Sequence, residues 1–300
     1  MKKEFIEGVK ALCAAEENVP LSKMTSFGIG GNAALLASPE NETELWEIFR
    51  LIRAFDEKYT VLGNMTNILA PDEGYGGIII SARGLDDISF DGIRGFAGAG
   101  TGLTGLALSA AKKGLSGLEF AFGIPGSVGG GIYMNAGAYG GEMADIVSSV
   151  RVYSPEKDEF IEYSAEECKF GKRRSRFCGS GEIIVSAAFS LTHGDENEIS
   201  DKMNENMKSR REKQPLEYPS AGSVFKRPEG YFAGALIEGA GLKGCRIGGA
   251  QVSELHAGFI INAGGATERD VKTLIEHITA TVYEKYGVTL EREIIYMDRE

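Results

Sequence analysis

Between Gly123 and Gly141 the chain reads GIPGSVGGGIYMNAGAYGG, eight glycines in nineteen residues. Tight turns and close strand packing both use glycine, but eight of them, interleaved with Pro125, Ser127 and Asn135, exceed what one hairpin requires. Each missing Cβ lets backbone N–H groups approach phosphate oxygens or a flat ring. Pro125 stiffens the loop, and Ser127 and Asn135 add short polar contacts. Upstream, LGNMTNIL places a second polar turn, with Gly63, Asn64, Thr66 and Asn67, between two apolar runs. Two such loops suit an extended dinucleotide. A third stretch, GTGLTG from Gly100 to Gly105, fits the G-x-G-x-x-G fingerprint, with Glu119 about 20 residues further on. It carries less weight, because the pattern is short and the chain is rich in glycine. Its acid also falls just before the Gly123 loop and not at the end of a second parallel strand.

Other reactive side chains come in patterns that also have plain structural readings. Ser223 follows Gly222, a combination common in turns. Arg173, Arg174 and Arg176 crowd the segment FGKRRSRF, by default a solvated basic turn. Glu291 and Glu293 alternate along an expected strand, whose default reading is a solvent-facing acidic edge. His193, His256 and His277 are too dispersed for a metal site or a histidine-based triad. Cys13, Cys168, Cys178 and Cys245 form no C-x-x-C pair, which suits thiols in a reducing compartment. The expectation is a metal-free, cytoplasmic protein with no membrane segment. A net charge of −11 argues against an extended nucleic-acid surface while leaving room for a local basic pocket.

The elements that must position these residues alternate in type along the first half. NETELWEIFRLIRAF sets Leu45, Ile48, Phe49, Ile52 and Phe55 on one helical face, with Trp46 beside the stripe as a packing residue. GGIIIS and IRGFAGAG read as strands, and LALSAAKKGL as a helix ending at Gly114. From Ser149 the texture becomes antiparallel β: SVRVYSPEKDEFIEYS is a hairpin and EIIVSAAFSL a further strand. THGDENEIS is polar and marks the best boundary, followed by a charged helix that must stop at Pro215. TERDVKTLIEHITATVYEKYG opens on a capping-box pair, Thr267 and Asp270, carries a stripe from Val271 to Val282, and stops at Gly287. VTLEREIIYM closes the chain as a strand. With 43% hydrophobic and 25% charged residues over 300 positions, the chain is a soluble globular protein of two or three domains. The expected division is 1–76, 77–194 and 195–300.

Six blocks, TSFGIGG, LGNMTNIL, GLEFAFGIPGSVGGGIYMNAGAYGGEM, KQPLEYPSAGSVFKRP, LIEGAGLKGCRIGGAQVSELHAGFIIN and LEREI, together resemble the UDP-N-acetylenolpyruvoylglucosamine reductases. They occur in the family's order and run from about Val19 to Ile294. The direct EYPSAGSVFKRP join and the short length are similar to the shorter family type, which lacks a substrate-covering loop. The resemblance implies an α+β flavoprotein of the PCMH/VAO-like FAD-binding fold. Residues 1–76 and 77–194 would be its two FAD-binding subdomains and 195–300 its substrate-binding domain. It implies reduction of UDP-N-acetylglucosamine enolpyruvate to UDP-N-acetylmuramate, with NADPH as hydride donor. FAD-binding positions carried over are Gly63, Asn64, Thr66, Asn67, Gly123, Ser127, Gly129, Gly130, Asn135 and Gly137. One departure is Met65-Thr66, where the family commonly has Gly-Ser. Ser223 aligns with the family's proton donor, Arg173 with the arginine that steadies the enolate, and Glu293 with the C-terminal catalytic glutamate. The family usually shows Tyr-Arg where this chain has Lys172-Arg173, with Arg174 as the alternative register. Lys213, Lys226 and Gln251 are further substrate-binding candidates. Two rival readings are an oxidase of the same fold and a sugar-nucleotide or flavin-binding protein without turnover. The first lacks a matching substrate domain, and the second makes Ser223, Arg173 and Glu293 accidental.

Overall fold

The computed structural model describes residues 1–297, which form two compact units. The first comprises residues 1–17, 35–64 and 77–209, and the second residues 18–34, 65–76 and 210 onward. Helices α1 (Lys3–Leu12), α2 (Glu42–Phe55), α3 (Leu103–Ala111), α4 (Val128–Tyr133), α5 (Glu196–Lys213), α6 (Ala233–Gly239) and α7 (Glu268–Tyr286) connect short strands. None of the described helices is long and apolar enough to cross a membrane.

The first unit is built on a five-stranded antiparallel sheet. Its spatial order is Glu159–Ser164, Val147–Ser154, Ile183–Ser190, Arg94–Gly98, Ile88–Asp91. The central strand, IIVSAAFS, reads as nearly continuous apolar because both its faces are covered. Ile184, Ala187 and Phe189 join one core with residues of α3, α4 and α5, while Ile183 and Val185 join another. That second core holds the α2 stripe Leu45, Ile48, Phe49 and Ile52, with Phe49 tilted against Tyr153 at 5.1 Å between ring centroids. Asn41 caps α2 by accepting from the Glu44 N–H at 3.0 Å. Trp46 packs beside the stripe, and its indole N–H donates to Asp158 at 2.9 Å. Tyr59–Leu62 pairs in parallel with Ile78–Ser81. Helix α3 ends at Ala111, and Gly114 follows in a left-handed turn with φ +64°.

The second unit carries a four-stranded sheet in the order Ser220–Ser223, Phe259–Asn262, Ala250–Val252, Arg246–Ile247, with antiparallel neighbours. Helix α7 buries Val271, Leu274, Ile275, Ile278 and Val282 in a core shared with Phe27, Ile29, Leu69 and α6. The capping box forms: the Thr267 hydroxyl accepts from the Asp270 N–H, and the Asp270 carboxylate accepts from the Thr267 N–H, both at 3.1 Å. The same carboxylate takes the Gly249 N–H at 3.1 Å, which ties the start of α7 to the Gly248–Gly249 turn. Gly287, at φ +66°, closes the helix by donating to the Tyr283 carbonyl at 2.8 Å.

The C-terminal segment departs from the expected strand. Only Ile295–Tyr296 is regular, pairing in parallel with Ile68–Leu69. Upstream, Arg292 makes a single antiparallel bridge to Phe225. The partner stretch is the reason: it runs into Arg227-Pro228, and a proline cannot extend a ladder.

Candidate functional site

In the first unit the glycine block packs around the start of α4. Ser127, 1% exposed, caps that helix by accepting from the Gly130 N–H at 3.4 Å. Val128 and Gly129 donate to the carbonyls of Thr101 and Ala99, each at 2.8 Å. A Cβ on Gly129 would sit 2.9 Å from the Ala99 Cβ, so only glycine permits this approach. The Gly63 turn arrives from the other polar loop: a Cβ there would lie 2.3 Å from the Ser127 Oγ. Asn64 Nδ2 donates to the Pro125 carbonyl at 3.2 Å. Gly63, Asn64, Gly123, Ser127, Gly129 and Gly130 therefore form one cluster. Gly130 is exposed on it, with only the Ser127 Oγ, 3.5 Å away, near its missing Cβ. The result is bare backbone exposed at Gly130, while the first N–H groups of α4 are already taken by the protein's own oxygens. The sequence pattern did not single out Thr104, which braces the loop. Its hydroxyl accepts from the Gly123 N–H at 3.0 Å and donates to the Ile124 carbonyl at 3.5 Å. The signal was present in GTGLTG, as a hydroxyl one residue inside α3.

Asn135 and Gly137 lie further along the block and meet Arg173. Asn135 is fully buried at φ +44°; its Nδ2 donates to the Gly171 carbonyl at 3.1 Å and its Oδ1 accepts from the Ala144 N–H at 3.0 Å. Its side chain thus braces the protein frame. Arg173, also left-handed at φ +54°, stands in the tight turn closed by Gly171 and Arg174. Its guanidinium donates to the carbonyls of Gly137 at 3.0 Å and Asn135 at 3.4 Å. A non-glycine residue in this conformation costs on the order of 1–2 kcal/mol, and the surrounding bonds hold it there. Arg174 and Lys172 are exposed. Of the two arginine registers, Arg173 is the one that reaches the block.

In the second unit Ser223 ends the strand Ser220–Ser223. Pairing with Phe259–Asn262 slips between Ser220 and Ser223, a bulge around Gly222 at φ +77°. A bulge re-aims the side chain that follows it, and Ser223 lines a cleft of about 360 Å³ together with Arg227, Phe232, Leu255 and His256. Val224 then zips onto the C-terminal segment: the Glu293 N–H donates to the Val224 carbonyl at 2.7 Å and the Lys226 N–H to the Glu291 carbonyl at 2.8 Å. Ser223 and Glu293 are thereby brought to neighbouring positions on adjacent stretches. Asn67 fixes the same segment, with Nδ2 donating to the Glu293 carbonyl at 3.2 Å and its own carbonyl accepting from the Ile295 N–H at 2.9 Å. The Thr66 carbonyl accepts from the Ser26 hydroxyl at 3.3 Å. Met65 is buried at φ +55°. The chain therefore holds a methionine in a backbone state that glycine adopts without strain.

Lys226 is ion-paired with Glu291, Lys213 is the exposed last residue of α5, and Gln251 pairs with Ile261 and Arg246 in the sheet. Among the described residues, the cleft wall includes Ser223 but not Lys213, Lys226, Gln251 or Glu293. His256, passed over in the sequence as one dispersed histidine, is on that wall. Burial lowers its pKa, and its Nδ1 accepts from the Gly258 N–H at 3.0 Å, which leaves the proton of the neutral ring on Nε2.

The G-x-G-x-x-G match is not a dinucleotide fingerprint here. The strand before it belongs to an antiparallel sheet. Glu119 accepts from the Ser116 hydroxyl at 2.6 Å and the Gly117 N–H at 2.8 Å, a local structural role.

Two family models match the chain. Residues 33–160 match the FAD binding domain, and residues 214–297 match the UDP-N-acetylenolpyruvoylglucosamine reductase C-terminal domain. The UDP-N-acetylenolpyruvoylglucosamine reductase of Pediococcus pentosaceus is 45% identical over 284 residues, covering 95% of this chain and 94% of its own. That of Caldicellulosiruptor bescii is 47% identical over 280 residues, covering 93% and 89%. The crystal structure of the Thermus caldophilus UDP-N-acetylenolpyruvylglucosamine reductase superposes with a TM-score of 0.80 at 38% identity, over 95% of this chain and 99% of that one. Alkyldihydroxyacetonephosphate synthase, at 16% identity and TM-score 0.50 over 64% of this chain and 44% of its own, shares the fold alone.

Proposed function

The chain belongs to the UDP-N-acetylenolpyruvoylglucosamine reductase family, and from that premise we propose how its residues divide the work of making UDP-N-acetylmuramate. It is an FAD-dependent oxidoreductase with a PCMH/VAO-like FAD-binding fold, and it reduces the enolpyruvyl group of UDP-N-acetylglucosamine enolpyruvate in peptidoglycan precursor synthesis. FAD, when bound, would supply the two-electron chemistry that links NADPH to the enolpyruvyl group. The residues that would hold FAD fit it. Gly130 leaves its backbone open toward a diphosphate, Gly63 and Gly129 let the loops pack closely beneath it, Ser127 and Asn64 set the loop, and Thr104 braces it. Thr66, Asn67, Gly123, Asn135 and Gly137 complete the carried-over set. Asn67 and Asn135 would act through backbone atoms, since their amides donate to protein carbonyls.

Hydride addition at one substrate carbon places enolate charge on the adjoining carboxylate. Arg173 would steady it: a guanidinium offers a planar pair of donors to a carboxylate, where a lysine offers a point charge. Asn135 and Gly137 hold that guanidinium in place beforehand. Ser223 would deliver the proton to the other carbon. A hydroxyl is a weak acid in water, and it would serve here because the developing carbanion is strongly basic. Glu293 would orient the substrate and assist polarisation. Lys213, Lys226 and Gln251 would receive the remainder of the sugar nucleotide, and Lys226 would exchange Glu291 for phosphate. The reaction belongs in the cytoplasm, where NADPH and the nucleotide precursor meet.

The observation that carries the reading is the bulge that turns Ser223 into its cleft, with Glu293 anchored one residue away on the Val224 carbonyl. Ser223→Ala should retain FAD and still be bleached by NADPH, but fail to complete reduction of the enolpyruvyl substrate. Normal turnover in that variant would remove Ser223 as the proton donor.

A further inference from the structure

The positions carried over for FAD are glycine, asparagine, serine and threonine, so none of them brings a charge to a doubly anionic diphosphate. The start of α4 does not supply the missing donors. The N–H groups of Val128, Gly129 and Gly130 already donate to the carbonyls of Thr101 and Ala99 and to the Ser127 hydroxyl. Arg83 brings a full positive charge to this cluster. Its Nη2 donates to the Asn64 carbonyl at 3.2 Å. Asn64 in turn donates through Nδ2 to the Pro125 carbonyl at 3.2 Å, so the guanidinium stands where the two polar loops meet.

The backbone of Arg83 is fixed on both sides. It lies in the 3-10 turn Ala82–Gly84 that follows the strand Tyr75–Ser81, and the buried Ser81 hydroxyl accepts its N–H at 3.4 Å. A Cβ on Gly84 would lie 2.4 Å from the Pro39 carbonyl oxygen, and one on Gly100 would lie 2.7 Å from the Arg83 Cα. The turn is thereby clamped against the 99–101 stretch, the same stretch whose carbonyls fix α4. The Arg83 side chain is exposed, and among the described residues no carboxylate is paired with it. Its bond to Asn64 uses part of the guanidinium fork and leaves the rest available to an anion. A guanidinium matches phosphate geometry, and hydrogen bonds between charged partners are roughly twice as strong as neutral ones. Resting on the family reading above, we infer that Arg83 grips the FAD diphosphate, supplying the charge-assisted hydrogen bonds that the occupied N–H groups of α4 do not.

The test is fluorescence titration of FAD into full-length protein stripped of flavin, at low and at high ionic strength. Wild type, Arg83→Ala and Arg83→Lys are compared. Hydrogen bonds to charged groups correspond to a loss of roughly 10- to 100-fold in affinity when one partner is removed. Arg83→Ala should weaken FAD by about that factor at low ionic strength and by less at high, because salt screens an exposed charge. Arg83→Lys should recover part of the loss, since the charge returns without the fork. Equal FAD affinity in Arg83→Ala and wild type, with wild-type bleaching and recovery intact, would overturn the grip and leave the family reading standing. A loss that is the same at both ionic strengths would make Arg83 only a brace for Asn64 and would also overturn it. An Arg83→Lys protein as weak as Arg83→Ala would do the same. Wild type that takes up no FAD would instead fail the family reading, and the inference with it.

Discussion

Gly63 offers a perturbation whose size can be worked out from one distance. A methyl group there would lie 2.3 Å from the Ser127 Oγ, and Ser127 is 1% exposed. Gly63→Ala therefore displaces the hydroxyl from its cap on the Gly130 N–H. Losing an N-cap costs about 1 kcal/mol, and overpacking a filled site costs ~1–3 kcal/mol more. The combined loss of ~2–4 kcal/mol corresponds to a fall of roughly 5–15 °C in melting temperature for a domain of this size. Ser127→Ala alone removes only the cap. In the double variant the nearest remaining Ser127 atom is its Cβ, 3.5 Å from the new methyl, an ordinary contact. The double variant should therefore melt with Ser127→Ala, giving a coupling of about 2–4 kcal/mol in magnitude. The assay is thermal denaturation at saturating FAD, followed by flavin fluorescence and circular dichroism together. Strict additivity of the two losses, or a Gly63→Ala protein that melts with wild type, would refute the steric argument.

The other predictions concern the reaction and its pH range. Arg173→Ala should lower kcat by about 10²–10³-fold with flavin retained, the loss typical of removing one anion-stabilising donor, while Arg174→Ala stays near wild type; the opposite pattern in steady-state rates would move the register by one residue. Burial pushes the Glu119 carboxyl upward, but its bonds from Ser116 and Gly117 and the attraction of Lys202 together hold its pKa below the usual glutamate value. Its stabilising contribution is then complete above the unfolded value of ~4.3 and is lost as pH falls through the lower folded value. Glu119→Gln should flatten the acid limb of the stability-versus-pH profile, and an unchanged acid limb would contradict that role.

Much of the local structure was legible because it rests on short-range chemistry. The α2 stripe, the 147–164 hairpin and the Thr267–Asp270 capping box each follow from periodicity or from a side chain that satisfies a nearby backbone group. The glycine block was legible as bare backbone for a different reason, its sheer excess over what turns require. Long-range placement was not legible. Nothing local in residues 18–34 or 65–76 says that they cluster with the C-terminal residues. The strand expected over VTLEREIIYM shrank to Ile295–Tyr296, because its length depended on a partner that runs into Pro228. The candidate site shows the same limit. A glycine–serine pair reads as a turn until the slip in register turns Ser223 into the cleft. The amides of Asn67 and Asn135 look like ligands until their Nδ2 groups are found donating to the carbonyls of Glu293 and Gly171. Phe232 and His256 carry no pattern at all, since a cleft wall is assembled from separate segments.

The most direct test of the central claim is a single anaerobic visible-absorption experiment on the purified protein. NADPH is added first, then UDP-N-acetylglucosamine enolpyruvate, while the flavin band is followed. NADPH should bleach the band, and the band should recover when the sugar nucleotide arrives, with UDP-N-acetylmuramate as product. A flavin that bleaches and then ignores the sugar nucleotide would contradict the assigned substrate, and protein that carries no flavin even after reconstitution with FAD would contradict the account as a whole.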